Sequence, residues 1–146
     1  VIALKTVAAD LIDSNGSADA TTTSTTFADL LTTGISELDI TTTGGDVVLT
    51  FSGSVGIPSG GYVFLDYSQQ GIRQGGDDVI IAVGSTTAMA ATRMPTSFCV
   101  LKIAPAADTW RYRLMWKVST GTGTMFMGAG TANGDLHPQF SVREET

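Results

Sequence analysis

Short segments of alternating apolar and polar residues, separated by glycine-rich turns, limit the possible folds of this chain more than any other feature. Successive side chains of a strand point to opposite faces, so such alternation predicts strands with one buried face. Residues 109–119 form the longest such segment, and its predicted inward face carries Trp110, Tyr112, Leu114, Trp116 and Val118. Residues 46–55 predict a second, with Val47, Leu49, Phe51 and Val55 inward.

The remaining pattern predicts further short strands and no helix. Residues 62–68 alternate but carry apolar side chains on both faces, which is typical of a strand covered on both sides. Residues 84–95 are predicted as a loop and residues 105–108 as a hairpin connection. Other strands are predicted at residues 21–26 (an edge strand), 35–43, 79–83, 96–103, 124–127 and 139–144. Regularly spaced turns between about nine or ten strands predict an all-β, antiparallel jelly-roll sandwich.

The chain length of 146 residues fits a single domain. We assign residues 20–146 to the jelly roll and residues 1–19 to a short N-terminal arm. The apolar residues of this arm match neither a helix nor a strand, and we expect them to contact a neighbouring protein: Ile2, Leu4, Val7, Leu11 and Ile12.

The charge balance argues against two classes of partner. The formal net charge is −6 and the isoelectric point is near 4.4, whereas nucleic acids and anionic lipids attract dense Lys and Arg. No apolar run approaches the ~20 residues of a membrane-spanning helix. The first residues lack a basic start followed by an apolar core. We therefore expect no nucleic-acid or membrane partner, and synthesis in a cytoplasm without a signal peptide.

Residues with catalytic or metal-binding chemistry are few. The single cysteine, Cys99, lies in a strand-like segment and is predicted to be buried. Asp77 and Asp78 follow two glycines, and two acids are too few for a calcium site. His137 has one nearby acid, which makes neither a triad nor a metal cluster. We predict no metal, no cofactor and no enzyme; a glycan hydrolase with two distant carboxylates is a remote third hypothesis.

Two strand faces are the candidate contact surfaces. Arg111, Arg113 and Lys117 share one face of residues 109–119. They indicate either an anion-binding stripe or, as we predict, a solvated or ion-paired outer face. Aromatic side chains suit a sugar platform, a subunit interface or the core. The five that we assign to a subunit interface or the core are Tyr62, Phe64, Trp110, Tyr112 and Trp116.

The order of these features resembles jelly-roll domains of the tumour-necrosis-factor and complement globular-head kind, in the versions found in bacteriophage virion proteins. The resemblance covers residues 29–145, about four-fifths of the chain. It follows a Thr-rich lead into Thr26-Phe27-Ala28-Asp29. It continues through Gly45-Asp46-Val47-Val48-Leu49-Thr50-Phe51-Ser52-Gly53-Ser54 and Gly61-Tyr62-Val63-Phe64-Leu65-Asp66. It also includes the strand pair 98–103 and 110–118 and the closing Phe140-Ser141-Val142-Arg143-Glu144-Glu145.

What this resemblance implies is a homotrimer on a phage particle. The expected function is a capsid decoration (cement) protein on the virion surface that bridges capsomers and binds the major capsid protein. The alternative is a fibre-tip or head-fibre module that binds a host receptor or surface glycan, with the 84–95 loop as a contact.

Overall fold

The computed structural model describes residues 7–11, 19–30, 37–75, 80–87, 89–127 and 138–145. Within them the chain is all-β and forms twelve strands, several of which have only two or three residues. They are β1 (Val7–Leu11), β2 (Ala20–Thr22), β3 (Ala28–Asp29), β4 (Leu38–Thr41), β5 (Asp46–Ile57), β6 (Gly61–Gln69), β7 (Ile72–Arg73), β8 (Ile81–Ser85), β9 (Met89–Lys102), β10 (Thr109–Val118), β11 (Gly123–Met125) and β12 (Gln139–Glu145).

The strands form two antiparallel sheets that pack face to face. Sheet I contains β1, β12, β5, β9, β11 and β2, with the long β5 pairing β9 on one side and β12 and β11 on the other. Sheet II contains β3, β4, β10, β6, β7 and β8. The predicted fold class, an antiparallel jelly-roll sandwich, is confirmed.

The core lies between the sheets and follows the alternation of β5 and β10. In β5 the predicted inward residues Val47, Leu49, Phe51 and Val55 have no exposed surface. In β10 the inward residues Tyr112, Leu114, Trp116 and Val118 are buried, and Trp110 is half-buried. The alternation in the sequence therefore correctly predicted the inner faces of β5 and β10.

The loop predicted for residues 84–95 is largely wrong. Residues 89–95 belong to β9, which pairs with β5 in antiparallel register from Lys102 to Met94 and, after a register shift, again at Met89. Pro95 is the last residue of the predicted loop. It faces Ser54 on a strand that pairs only with β5 among the described residues, and such an edge position tolerates a residue without an amide donor.

Two further predictions are wrong within sheet I. Residues 7–11 were assigned to an irregular arm, but they form β1, which pairs with β12. Cys99 was expected to be buried, but its side chain is exposed. Its neighbour Phe98 is buried, and alternation directs the next residue of the strand outwards.

Some boundaries and connections also differ from the prediction. Residues 105–108 do not close a hairpin, because β9 lies in sheet I and β10 in sheet II. The predicted edge strand at 21–26 ends at Thr22. Beyond it the Ser24 hydroxyl donates to the Thr26 carbonyl at 2.6 Å, a local bond that competes with strand pairing. The predicted strands at 35–43 and 79–83 correspond to β4 and β8, and residues 35, 36 and 79 lie outside the described residues.

Candidate binding surfaces

The outer face of sheet II carries an ion-pair cluster built on β10. Arg111 forms two hydrogen bonds with the Asp39 carboxylate, at 3.0 and 3.2 Å. Arg113 donates to Glu37 at 3.0 Å and to Asp29 at 2.8 Å. The bonds to Glu37 and Asp29 raise the pKa of the Arg113 side chain above its usual value. The predicted ion-paired face is therefore confirmed for Arg111 and Arg113, whose guanidinium groups both have carboxylate partners.

Aromatic rings and cations alternate beside this cluster. The Tyr62 and Phe64 rings are stacked, with centroids 5.8 Å apart. The Lys117 ammonium lies 5.1 Å from the Phe64 ring centroid and 4.8 Å from that of Phe27. The Arg73 guanidinium covers Phe27 at 4.6 Å. Cations held over aromatic faces are attracted by the ring quadrupole, so this row is a mutually stabilised part of the surface.

Tyr62 lies at the end of this row and rests on a glycine. Tyr62 of β6 and Gly84 of β8 are direct partners in the strand register. A Cβ atom added to Gly84 would overlap Cδ1 and Cε1 of the Tyr62 ring and lie 2.9 Å from its Cζ. The ring therefore packs against the glycine backbone, while Tyr62 as a residue stays 50% exposed.

A shallow, open depression surrounds this ring. It has a volume of about 400 Å³ and is lined by Gly60, Tyr62, Gly84, Ser85 and Thr86. None of these lining residues is charged. The turn at Gly60 adopts a φ of +66°, which favours glycine.

The outer face of sheet I differs in its chemistry. Its centre consists of three directly opposed pairs of β5 and β9, without a charged side chain. We call these six residues the sheet I face: Val48, Leu101, Thr50, Cys99, Ser52 and Ser97. Leu101 is 54% exposed, and the nearby Ile103 is 68% exposed. Charged residues border this face at Arg143, which pairs with Val48, and at Arg93.

The five predicted aromatic residues separate onto two faces. Tyr112 and Trp116 are buried, and Trp110 is half-buried, with its indole nitrogen donating to the Ala106 carbonyl at 2.8 Å. Tyr62 and Phe64 lie on the opposite, outer face of sheet II. This separation follows from the alternation of side chains along the strands. In β6 the neighbours of Phe64, Val63 and Leu65, are fully buried.

Other predicted residues fall partly outside the described chain. Of the five arm residues, Val7 and Leu11 lie in β1, and Ile2, Leu4 and Ile12 lie outside the described residues. Asp77, Asp78 and His137 lie outside them as well. In the described ranges no group of three or more His, Cys, Asp or Glu side chains is arranged to hold a metal ion. No helix in those ranges has the length and hydropathy needed to cross a membrane.

Comparison with known proteins gives a fold and no family. No protein-family model matches the chain, and no curated protein matches it. A solved structure of Eiger TNF from S. frugiperda is similar, with a TM-score of 0.51 and 12% identity over 97% of this chain and 93% of that chain. A carbohydrate binding module, CBM6cm-2 from Cellvibrio mixtus lichenase 5A in complex with cellotriose, has a TM-score of 0.30 and 12% identity, covering 97% of each chain. At this identity, the likeness to the TNF structure shows the sandwich fold alone.

Proposed function

We propose that this chain is a non-catalytic structural protein that forms a homotrimer and decorates the head of a bacteriophage. In this proposal the trimer binds the major capsid protein at the virion surface and stabilises the shell by bridging capsomers. The proposed self-association is supported by the contrast between the two outer faces of the sandwich.

The contrast is one of charge and side-chain size. The outer face of sheet II carries Arg111, Arg113 and their three carboxylate partners, which hold one another in place. The sheet I face carries small polar residues, Cys99, the exposed Leu101 and Val48, which is already buried within one chain. Charged residues are depleted at the centres of protein interfaces, so the sheet I face is the better surface for a second copy of the chain.

The trimer and the virion role come from the resemblance of the sequence features to virion jelly rolls. Pairing of β1 with β12 makes residues 7–11 part of the sandwich. The proposal therefore assigns the capsid contact to the edge of sheet I that β1 forms, instead of to a freely extending arm.

The self-association is tested by native mass, measured by light scattering on a sizing column at two protein concentrations. The expected mass is close to three times 15.2 kDa. Leu101→Glu introduces a charge on the sheet I face and should release monomers. Ile72→Glu is the matched control, because Ile72 is 68% exposed and lies on sheet II; its mass should stay unchanged. A monomeric wild type would overturn the trimer.

The virion role is tested on intact phage particles that carry this protein. Gold-labelled antibody against the chain should decorate the head at regular positions. Particles stripped of the protein should lose heads at a lower temperature and recover when the protein is added back. Label confined to the tail would overturn the decoration role while leaving the trimer in place.

A further inference from the structure

We propose that Tyr62, resting on Gly84, is a stacking platform for one pyranose ring of a neutral glycan. The depression lined by Gly60, Ser85 and Thr86 would surround the sugar. This inference goes beyond the proposed structural function and does not depend on it. The outer face of sheet II lies on the opposite side of the sandwich from the sheet I face. Self-association through the sheet I face therefore leaves Tyr62 accessible.

The first argument is the orientation of the ring. A Cβ at position 84 would overlap the Tyr62 ring, so the ring covers the glycine and lies along the sheet surface. One ring face lies over the Gly84 backbone, and the Phe64 ring lies next to it with the centroids 5.8 Å apart, which leaves Tyr62 as a residue 50% exposed. A flat, exposed aromatic face accepts the C–H groups on the apolar face of a pyranose. Tyr combines such a face with a polar hydroxyl.

The second argument is the chemistry of the surroundings. The depression has no charged lining residue, and two hydroxyl groups line it: that of Thr86 and that of Ser85, which also accepts a hydrogen bond from the Thr87 amide at 3.2 Å. Tyr62 and Thr86 are both exposed, so their hydroxyls are accessible to a ligand. A neutral ligand with several hydroxyl groups satisfies such donors and acceptors, whereas an anion or a cation finds no opposite charge in the lining. Arg111 and Arg113 pair with carboxylates farther along the face, and the Lys117 ammonium lies over the Phe64 ring, outside the lining of the depression.

A purely stabilising role for the ring is the alternative explanation. An aromatic ring across from a glycine in a sheet also stabilises the strand pair, because it covers backbone that glycine leaves open. This role explains why the ring packs against Gly84. It does not require an uncharged depression around the ring, and it predicts an effect on unfolding without an effect on sugar binding.

A single stacked ring supports weak binding, so a millimolar dissociation constant is expected. The test is a titration of ¹⁵N-labelled protein with methyl β-D-glucopyranoside and, separately, with methyl β-D-galactopyranoside, followed by amide chemical shifts. The amides of Gly60, Gly84, Ser85 and Thr86 should move in a saturable manner with at least one glycoside. Glycerol, a flexible polyol without a ring, should not produce saturable shifts.

Four variants assign the effect to the ring. Tyr62→Leu still covers Gly84 but has no aromatic face, and it should weaken binding about tenfold. Tyr62→Trp should retain binding. Gly84→Ala should weaken binding because its methyl group displaces the ring. Ile72→Ala, at an apolar residue of sheet II that is 68% exposed, should change nothing.

Thermal unfolding of each variant separates folding from binding. The proposal is overturned if the wild type shows no saturable shift with either glycoside up to the solubility limit. It is also overturned if folded Tyr62→Leu binds as tightly as the wild type. Neither result bears on the native mass, so the trimer is tested independently.

Discussion

The Glu144 carboxylate accepts a hydrogen bond from the Gly45 amide at 2.7 Å, with the same oxygen, Oε1, also accepting from the Thr43 amide at 2.7 Å and the Thr43 hydroxyl at 3.0 Å. Glu144 belongs to β12 of sheet I, and residues 43–45 connect β4 of sheet II to β5 of sheet I. One buried carboxylate therefore fastens a connection between the two sheets.

This arrangement predicts an acid-sensitive contribution to stability. The Gly45 amide, followed by the Thr43 groups, holds the pKa of Glu144 below its usual value of 4.5. A carboxyl group with a lowered pKa stabilises the fold above the usual value, and its contribution is lost as the pH falls through the lower folded value. Glu144→Gln should therefore be less stable than the wild type at pH 7, and the difference should shrink below pH 4.5.

Urea unfolding of both proteins between neutral and acidic pH measures that difference. Glu145→Gln on the same strand is the control. Glu145 pairs with Arg143, and both side chains are partly exposed, so the loss of this pair should change the stability little. An unchanged gap between wild type and Glu144→Gln at neutral and acidic pH would contradict the assignment.

Tyr112 has a buried hydroxyl with no hydrogen-bond partner among the described residues. Burial raises its pKa to about 12. Removing an unpaired buried hydroxyl removes a desolvation cost, so Tyr112→Phe should leave the free energy of unfolding unchanged or raise it by up to ~1 kcal/mol. Leu114→Ala, next on the same inner face, should cost about 2–5 kcal/mol in the same urea assay. A clear loss of stability in Tyr112→Phe would indicate that the hydroxyl has a partner.

Asp66 has no exposed side-chain surface and bonds to the Arg73 guanidinium at 2.6 Å. Its other oxygen accepts from the Tyr67 amide at 2.7 Å. Arg73→Met keeps an apolar stem but leaves the carboxylate without this cation. The expected loss is about 1–3 kcal/mol, less than for a fully buried pair because Arg73 is partly exposed.

Asp66→Asn/Arg73→Met removes both charges and should recover at least half of that loss. Unfolding of the four proteins in a double-mutant cycle gives the interaction free energy directly. Additive losses would mean that the pair contributes nothing beyond its separate members.

Gly123 of β11 touches the opposite sheet. A Cβ there would lie 2.7 Å from Val118 Cγ1 and 3.1 Å from Val63 Cγ2, both in sheet II. Gly123→Ala should therefore push the sheets apart locally and cost about 1–3 kcal/mol. Thr124→Ala, the next residue of the strand, is the control and should be nearly neutral. Equal thermal midpoints for the two variants would show that the sheets adapt without cost.

Cys99 reports on assembly, because it is exposed in one chain and lies in the centre of the sheet I face. If that face is covered by another copy, a maleimide should label Cys99 slowly in the native protein and faster in Leu101→Glu. Mass spectrometry at timed intervals measures both rates. Equal rates in the two proteins would place the self-interface elsewhere.

Alternation of apolar and polar residues predicted those strands in which it continues over the whole length of the strand. The inner faces of β5 and β10 were correct for this reason. The first half of β9 was missed because its Ala, Thr, Met and Pro95 lack alternation, and its strand structure depends on pairing with β5. The burial predicted for Cys99 was wrong because the prediction followed the residue type. The position of Cys99 between Phe98 and Val100 in the strand directs its side chain outwards.

The contact between Tyr62 and Gly84 could not be predicted from the sequence, for a different reason. Alternation of residues 62–68 indicates which side chains share a face, but Gly84 meets the Tyr62 ring only through the register of β6 with β8. That register joins residues about twenty positions apart across a turn region. An exposed aromatic at the start of β6 and a glycine within β8, two strands later, are separate signals in the sequence. Only the sheet brings them together.

The position of β5 also has a kinetic consequence. Its register partners along β12 run from Ser52↔Gln139 to Asp46↔Glu145, so one of its edges is completed by residues synthesised much later. Chains dominated by such distant pairings fold slowly, in milliseconds to seconds. Until β12 arrives, a long apolar strand presents an unpaired edge to other chains. The nascent protein is therefore most exposed to aggregation in the interval between the synthesis of these two strands.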